Sequence, residues 1–444
     1  MPDAGLDVND VNETLMTTPA RNSRLSAILL SALLQGGALY GLHHSLENHH
    51  WPASSVRLTV GLYTCAVLIP LTVQLLAEHA QRKMLWLSVA VLTAALFYFG
   101  WYFGDTLGGP LPQGLVNSAG PNLFLFALEL AVLWLLALPF LQSRVVLGHW
   151  RVEYPALFSF AWRNKIMLCE AAGFTGLFWL ILALWQLLFH MLQIDFFRHL
   201  FQQPLFIYPA TAVVFGVAMH LIGTIDRLVS AVLEQILNVL KWLATVAGVL
   251  LALFTVALLV KLPGLAFQGQ KAIGATWLLW LIAVIVLFLN AAYRDGTLAQ
   301  PYPRWMGQAL RFVVPLTVVI ALTACYSLWV REQHYGLTVQ RFWAFVVAGA
   351  ALLYAVGYSA STLSKGAWLP SMAQTNVGVA LALIATITAA LTPVASPYRL
   401  AANSQYQRIL DNHWEDEMNT SASFPRKSPF QYLRWETGNY GRER

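Results

Sequence analysis

Glu129 is the residue most able to do chemistry, because it interrupts the apolar run 122–142 and is flanked by Phe126, Leu128, Leu130 and Val132. A charged side chain at the centre of a bilayer costs about 2.5–3.5 kcal/mol on insertion scales. A glutamate kept there either takes up and releases a proton or ties helices together by hydrogen bonding. Glu170 lies near one end of a later run, close to Asn164 and Lys165, a spacing that predicts a structural ion pair. His220, like His190, Gln186 and Tyr208, falls toward the end of an apolar run, where a histidine is a hydrogen-bonded core residue or a relay.

The connecting segments hold the other candidates. His43, Glu47 and His50 would share one face of a helix with carboxylate–imidazole metal spacing, although Trp51-Pro52 stops any helix there. The segment Ile194–Phe201 mixes phenylalanines with Asp195, Arg198 and His199, which suits a short interfacial helix. In Arg331–Arg341, Gly336 can supply a turn after Tyr335 and Thr338 can cap the next helix. Arg331 and Arg341 bracket that turn, either as an oxyanion clamp or as end-of-span anchors.

No HExxH, GxxxxGK[ST], GxSxG or GxGxxG pattern occurs. Cys65, Cys169 and Cys325 have no CxxC partner and read as small buried side chains. No cofactor is expected.

These residues need elements to hold them, and composition says which. The chain has 444 residues, 58% hydrophobic and 11% charged, too apolar for an ordinary soluble domain. Apolar runs fall at 25–43, 58–77, 85–103, 122–142, 168–190, 204–223, 239–260, 276–293, 309–330, 342–360 and 376–393. A helix of ~20 apolar residues crosses the ~30 Å hydrocarbon core, and lipid forces such segments to satisfy their own backbones. The expected fold is therefore all-α, a polytopic transmembrane bundle of about eleven spans. Residues 1–24 form an N-terminal tail, 25–393 the bundle and 394–444 a small extramembrane tail. That tail has too little apolar surface for a core of its own. The formal charge of +6 sits at span ends and in the tails, so nucleic acid is excluded as a partner and the lipid bilayer is implied.

With the N-terminus inside, Arg21, Arg24, Arg82, Lys83, Arg144, Arg151, Arg163, Lys165, Arg227, Lys241, Arg294, Arg304, Arg311 and Lys365 face the cytoplasm. Only Arg57, Arg198, Lys261, Lys271, Arg331, Arg341, Arg399 and Arg408 face outward, which favours that orientation and puts the tail outside. Trp150–Lys165 alternates aromatic and basic residues, as a piece lying along the membrane surface would. Asp226–Lys241 is amphipathic and predicts an interfacial helix leading into the seventh span. Gly37 and Gly41 form a GxxxG, and Gly378 begins a small-residue face in the last span, both suited to helix packing.

Short pieces resemble a known family. They are Ile194–Phe201, Arg331 with Tyr335-Gly336-Leu337-Thr338 and Arg341, Asn403-Ser404-Gln405, Tyr432-Leu433-Arg434 and Gly438-Asn439-Tyr440-Gly441. In these, from about the second span to the end, the chain resembles the bacterial membrane proteins catalogued as domain of unknown function 4153. The resemblance implies a multi-spanning inner-membrane protein with a C-terminal soluble piece and no established activity, so no catalytic residue carries over. Relatives continue past the last piece, which implies a shortened product ending at Arg444.

Three readings follow, in this order. The first is transport or lipid handling through a cavity near Glu129. The second is an interaction or sensory protein whose outer loops and tail bind an envelope protein. The third is an enzyme on a lipid-linked small molecule, with Arg331 and Arg341 gripping it and Asp195, His199, Glu332 or His334 as base.

Overall fold

The computed structural model describes residues 19–107, 120–148, 153–224, 226–267, 274–294, 302–363, 369–411 and 428–443. Among the described residues every regular element is helical, and eleven helical stretches are long and apolar enough to cross a membrane. This is the polytopic bundle that the apolar runs dictate.

The elements in chain order are α1 (Pro19–Glu47), α2 (Val56–Leu75), a 3-10 turn (Ala77–His79), α3 (Lys83–Leu107), α4 (Gly120–Leu147) and α5 (Tyr154–Met191). Next come α6 (Phe196–Gln202), α7 (Pro204–Thr224), α8 (Asp226–Phe267), α9 (Ala275–Tyr293), α10 (Arg304–Val313) and α11 (Leu316–Tyr335). The chain continues with α12 (Val339–Leu363), α13 (Leu369–Ala390), α14 (Pro397–Leu410), α15 (Pro429–Glu436) and α16 (Asn439–Arg442).

Three boundaries differ from expectation, each for a local reason. The aromatic and basic stretch from Tyr154 to Lys165 runs unbroken into the fifth span as a 38-residue helix, since nothing after Pro155 interrupts it. The amphipathic segment from Asp226 is likewise continuous with the seventh span, giving 42 residues in α8. The ninth span is broken at Pro315, which has no N–H to donate and separates α10 from α11. Helix α10 turns Met306 and Leu310 inward and leaves Trp305 and Phe312 exposed.

The chain divides into two compact units. The first comprises 1–104, 138–152 and 160–233. In it α1 packs along α7 and α2, burying Ile28 and Ala32 completely. Gly36 and Gly216 make that approach possible: a Cβ on Gly36 would lie 2.6 Å from Pro209 Cα, and one on Gly216 would lie 2.8 Å from Ala32 Cβ. The GxxxG pair Gly37 and Gly41 meets nothing within 4 Å, nor does Gly378, so neither site carries close packing.

The second unit comprises 105–137, 153–159 and 234–444. Its core is built on α9, whose Leu278, Ile282, Ile285, Leu289 and Ala292 recur at helical spacing. Ala321 and Ala324 of α11, with Ala348, Ala351 and Ala355 of α12, keep the packed faces slim enough for helices to close on it. Residues 394–444, expected as a tail without a core of its own, supply α14, α15 and α16 to this unit.

Candidate functional site

Helix α11 stops because Gly336 takes φ +64° and ψ 175°, a backbone region that only glycine occupies readily. Thr338 then caps α12, its hydroxyl accepting the Arg341 N–H at 3.2 Å. Arg341 folds back over the turn it follows: its guanidinium lies 5.4 Å from the Tyr335 ring and donates to the Tyr335 carbonyl at 2.9 Å and to the Gly336 carbonyl. Cations suit a helix C-terminus because the last carbonyls there lack intrahelical partners. Arg341 is thus engaged by the turn, whereas exposed Arg331 has no hydrogen-bond or ion-pair partner among the described residues.

The C-terminal helices dock on this same turn. Ser404 Oγ accepts the Leu337 N–H at 2.8 Å, and Gln405 Nε2 donates to the Tyr335 and Leu337 carbonyls at 3.1 and 2.9 Å. Arg408 donates to the Tyr335 carbonyl at 2.9 Å and the His334 carbonyl at 3.3 Å. From α15, Tyr432 Oη accepts the buried Val339 N–H at 2.8 Å. Burial pushes the Tyr432 phenol up to about 12, against the lowering effect of that N–H. Asn439 of α16 adds a tie to another segment, donating to the Asp105 carbonyl at 2.7 Å. All of these groups belong to the second unit.

Glu129 lies beneath this cap, in the same unit, and is 6% exposed. It sits nine residues into α4, roughly 13 Å along the axis. The Trp343 indole of α12 lies against its carboxyl, and the Tyr398 phenol of α14 interacts with it electrostatically. Burial holds that phenol above its ordinary range, with Glu129, Tyr432 and Glu436 adding to the effect. Even so, neither Glu129 Oε1 nor Trp343 Nε1 completes a hydrogen bond. Two cavities, one in the first unit and one between α14, α15 and α16, are lined by other residues and not by Glu129.

The other candidates are dispersed. Glu170 forms no pair with Lys165 among the described residues; its Oε2 is buried without a hydrogen bond, and Lys165 instead lies 5.4 Å from the Trp162 ring. Asn164 is exchanged into a two-way amide pair with Gln142, at 3.0 and 2.7 Å. His220 is 8% exposed in α7. Both Glu170 and His220 belong to the first unit, apart from the unit that holds Glu129.

Asp195 accepts from His190 Nδ1 at 2.7 Å, both half-exposed, while Arg198 is exposed without a described partner. These two also belong to the first unit, so the candidates Asp195, Arg198, Arg331, Tyr335 and Arg341 divide between units. His43 and Glu47 pair at 3.1 Å as their spacing predicts, but α1 ends at Glu47 and His50 leaves that face. Among the described residues no three His, Cys, Asp or Glu side chains converge as a metal site.

One polar cluster had no sequence signal. Asn376 of α13 donates to Tyr154 Oη at 2.8 Å and to Asn290 Oδ1 at 2.6 Å, and Tyr358 Oη contacts both asparagines at 2.9 and 2.5 Å. Four side chains from α5, α9, α12 and α13 thereby satisfy one another in the second unit. Their interruption of apolar runs is the only trace such a network leaves in a sequence. No protein-family model, curated protein or solved structure matches the chain.

Proposed function

We propose that the protein is a multi-pass inner-membrane carrier, a transport or lipid-handling protein, in which Glu129 holds an exchangeable proton under a docked C-terminal cap. One observation carries the reading: in Glu129, a residue 6% exposed, the buried Oε1 lacks a hydrogen bond although an indole and a phenol lie near the carboxyl. A glutamate that only tied helices together would be hydrogen-bonded, since leaving a buried polar atom unpaired costs ~1–3 kcal/mol. A carboxyl oxygen with a lone pair left unengaged can instead accept a proton or a hydrogen bond from a passing group. The positive-inside bias supports an N-terminus in the cytoplasm, with the cap and Glu129's nearer span end on the outer face. That face is periplasmic in a Gram-negative cell.

The docking supports a proposal of family as well, because the pieces around Tyr335, Ser404, Tyr432 and Gly438 that resemble the domain of unknown function 4153 proteins meet within one unit. Infrared difference spectroscopy on the reconstituted protein tests the function. The carbonyl stretch of a protonated carboxylic acid should change reversibly when pH is stepped over the range in which the protein stays folded, and vanish in Glu129→Gln. In proteoliposomes the same variant should abolish substrate-driven proton movement. A carboxyl band unchanged over that range would overturn the reading.

A further inference from the structure

The three C-terminal helices enclose a groove apart from the Gly336 turn and from Glu129. Tyr406 and Ile409 of α14, Phe430, Leu433 and Arg434 of α15, and Gly441 and Arg442 of α16 line a space of about 530 Å³. Small-molecule sites run from roughly 300 to 1,000 Å³. With 14, 8 and 4 residues, these helices are too short to cross a membrane, so their apolar surface is not that of a span. Phe430 is nonetheless half exposed.

Local sequence shapes the groove. A capping box starts α15, with Ser428 Oγ accepting the Gln431 N–H and Gln431 Oε1 accepting the Ser428 N–H, both at 3.3 Å. Phe430, Leu433 and Arg434 then fall at i, i+3 and i+4, on one helical face. Tyr406 and Ile409 stand three residues apart on α14. A Cβ on Gly441 would collide with the Leu433 carbonyl and the Thr437 hydroxyl, so glycine is needed where α16 closes on α15.

Size and chemistry select the occupant. At ~30 Å³ of liquid volume per small non-hydrogen group, the space holds roughly eighteen such groups. A helix ~10 Å across would fill it in little more than one turn, which leaves a partner helix little to grip. An acyl chain of about twelve to sixteen carbons fits. Two arginines line the groove and no carboxylate does. Both arginines also interact elsewhere in the chain, but a guanidinium carries several donors and can take a second oxyanion. We infer that this groove binds a single acyl chain, its anionic head, phosphate or carboxylate, against Arg434 and Arg442. A free fatty acid and a bilayer phospholipid share that chemistry. Such a ligand extends the lipid-handling reading without resting on the Glu129 proton, so the infrared band and the groove can each fail alone.

The test places the full chain in phosphatidylcholine nanodiscs with diazirine-tagged dodecyl phosphate, dodecanol or dodecyltrimethylammonium, and maps photolabelled peptides by mass spectrometry. Dodecyl phosphate should label Pro397–Leu410 and Pro429–Glu436 saturably, about fivefold above the other two heads. Arg434 and Arg442 are exposed, so Arg434→Gln with Arg442→Gln should leave the cap folded and bring labelling within about twofold of the alcohol. Ile409→Trp should fill the groove and abolish labelling there, while labelling of lipid-facing α5 persists. Amide exchange in α14 reports whether that variant keeps its cap, and the glutamine pair decides where it does not. Displacement by phosphatidylglycerol added to the disc assigns a bilayer lipid, and displacement by dodecanoate alone assigns a free fatty acid. Equal labelling by the three heads, labelling unmoved by the glutamine pair, or displacement by neither competitor would overturn the inference.

Discussion

Gly336→Ala tests whether the cap depends on the turn it grips. An added Cβ would lie 2.5 Å from Arg408 Cδ, 2.8 Å from Gln405 Nε2 and 3.2 Å from Ser404 Oγ. Arg408 is flexible and can swing aside, but only by leaving the Tyr335 and His334 carbonyls. The backbone has no such escape, since φ +64° with ψ 175° costs a non-glycine residue ~1–3 kcal/mol. Adding about 1 kcal/mol for the displaced, partly exposed hydrogen bonds gives ~2–4 kcal/mol. At ~1.4 kcal/mol per decade, backbone amide exchange in Pro397–Leu410 should accelerate roughly 30- to 1,000-fold. Hydrogen-exchange mass spectrometry of the detergent-solubilised protein reads this directly, with peptides from α9 as an internal control. Exchange in α14 within twofold of wild type would refute the view that the turn carries the docking.

Other substitutions probe neighbouring claims. Tyr432→Phe removes the acceptor of the buried Val339 N–H and should cost the cap ~1–3 kcal/mol, seen as faster exchange in α15. Because the folded phenol is held at about 12, the stability it lends is whole below pH ~10 and is lost as pH rises through 12, about 2–3 kcal/mol. Tyr432→Phe should reduce that alkaline loss, leaving the part owed to other buried phenols such as Tyr398 and Tyr302, and an unchanged alkaline transition would contradict the assignment. Asn376→Leu should lower the free energy of unfolding in mixed detergent by ~1–3 kcal/mol, and a double-mutant cycle with Asn290→Leu should show coupling above ~0.5 kcal/mol. Additive effects would deny the network. Arg82→Ala removes one guanidinium nitrogen that caps both Val145 and Val146 carbonyls at 2.7 and 2.8 Å, and should fray the end of α4 by ~1 kcal/mol, measured as faster exchange there.

Local signals in the sequence were read correctly where the cause is local. A ~20-residue apolar run needs no partner to declare itself, and Gly336 and Thr338 mark a turn and a cap within four residues. Glu129 was visible for the same reason, as a carboxylate among aliphatics. Its neighbours were not, since Trp343 and Tyr398 lie more than two hundred residues away in sequence and look like ordinary aromatics. The docking of α14 and α15 was missed because Ser404, Gln405, Arg408 and Tyr432 bind backbone groups 67 to 93 residues away. Main-chain carbonyls and amides have no sequence identity, so such contacts leave no pattern to read. Gly36 and Gly216 also escaped notice, because close packing depends on which glycine faces a neighbour and not on a four-residue spacing.

Helix α5 has a practical consequence for handling the protein. Only 22% of its most apolar window is buried, and Phe174, Leu177, Leu180, Ile181, Leu184, Leu187 and Leu188 are exposed. Lipid covers much of this helix, so a mismatch between its apolar length and the surrounding acyl layer falls on it directly. A short-chain detergent that cannot coat this rod, or the equally uncovered α7, should loosen these two helices before the rest of the unit. Acyl-chain length during extraction therefore becomes a variable that selects which form of the molecule is studied.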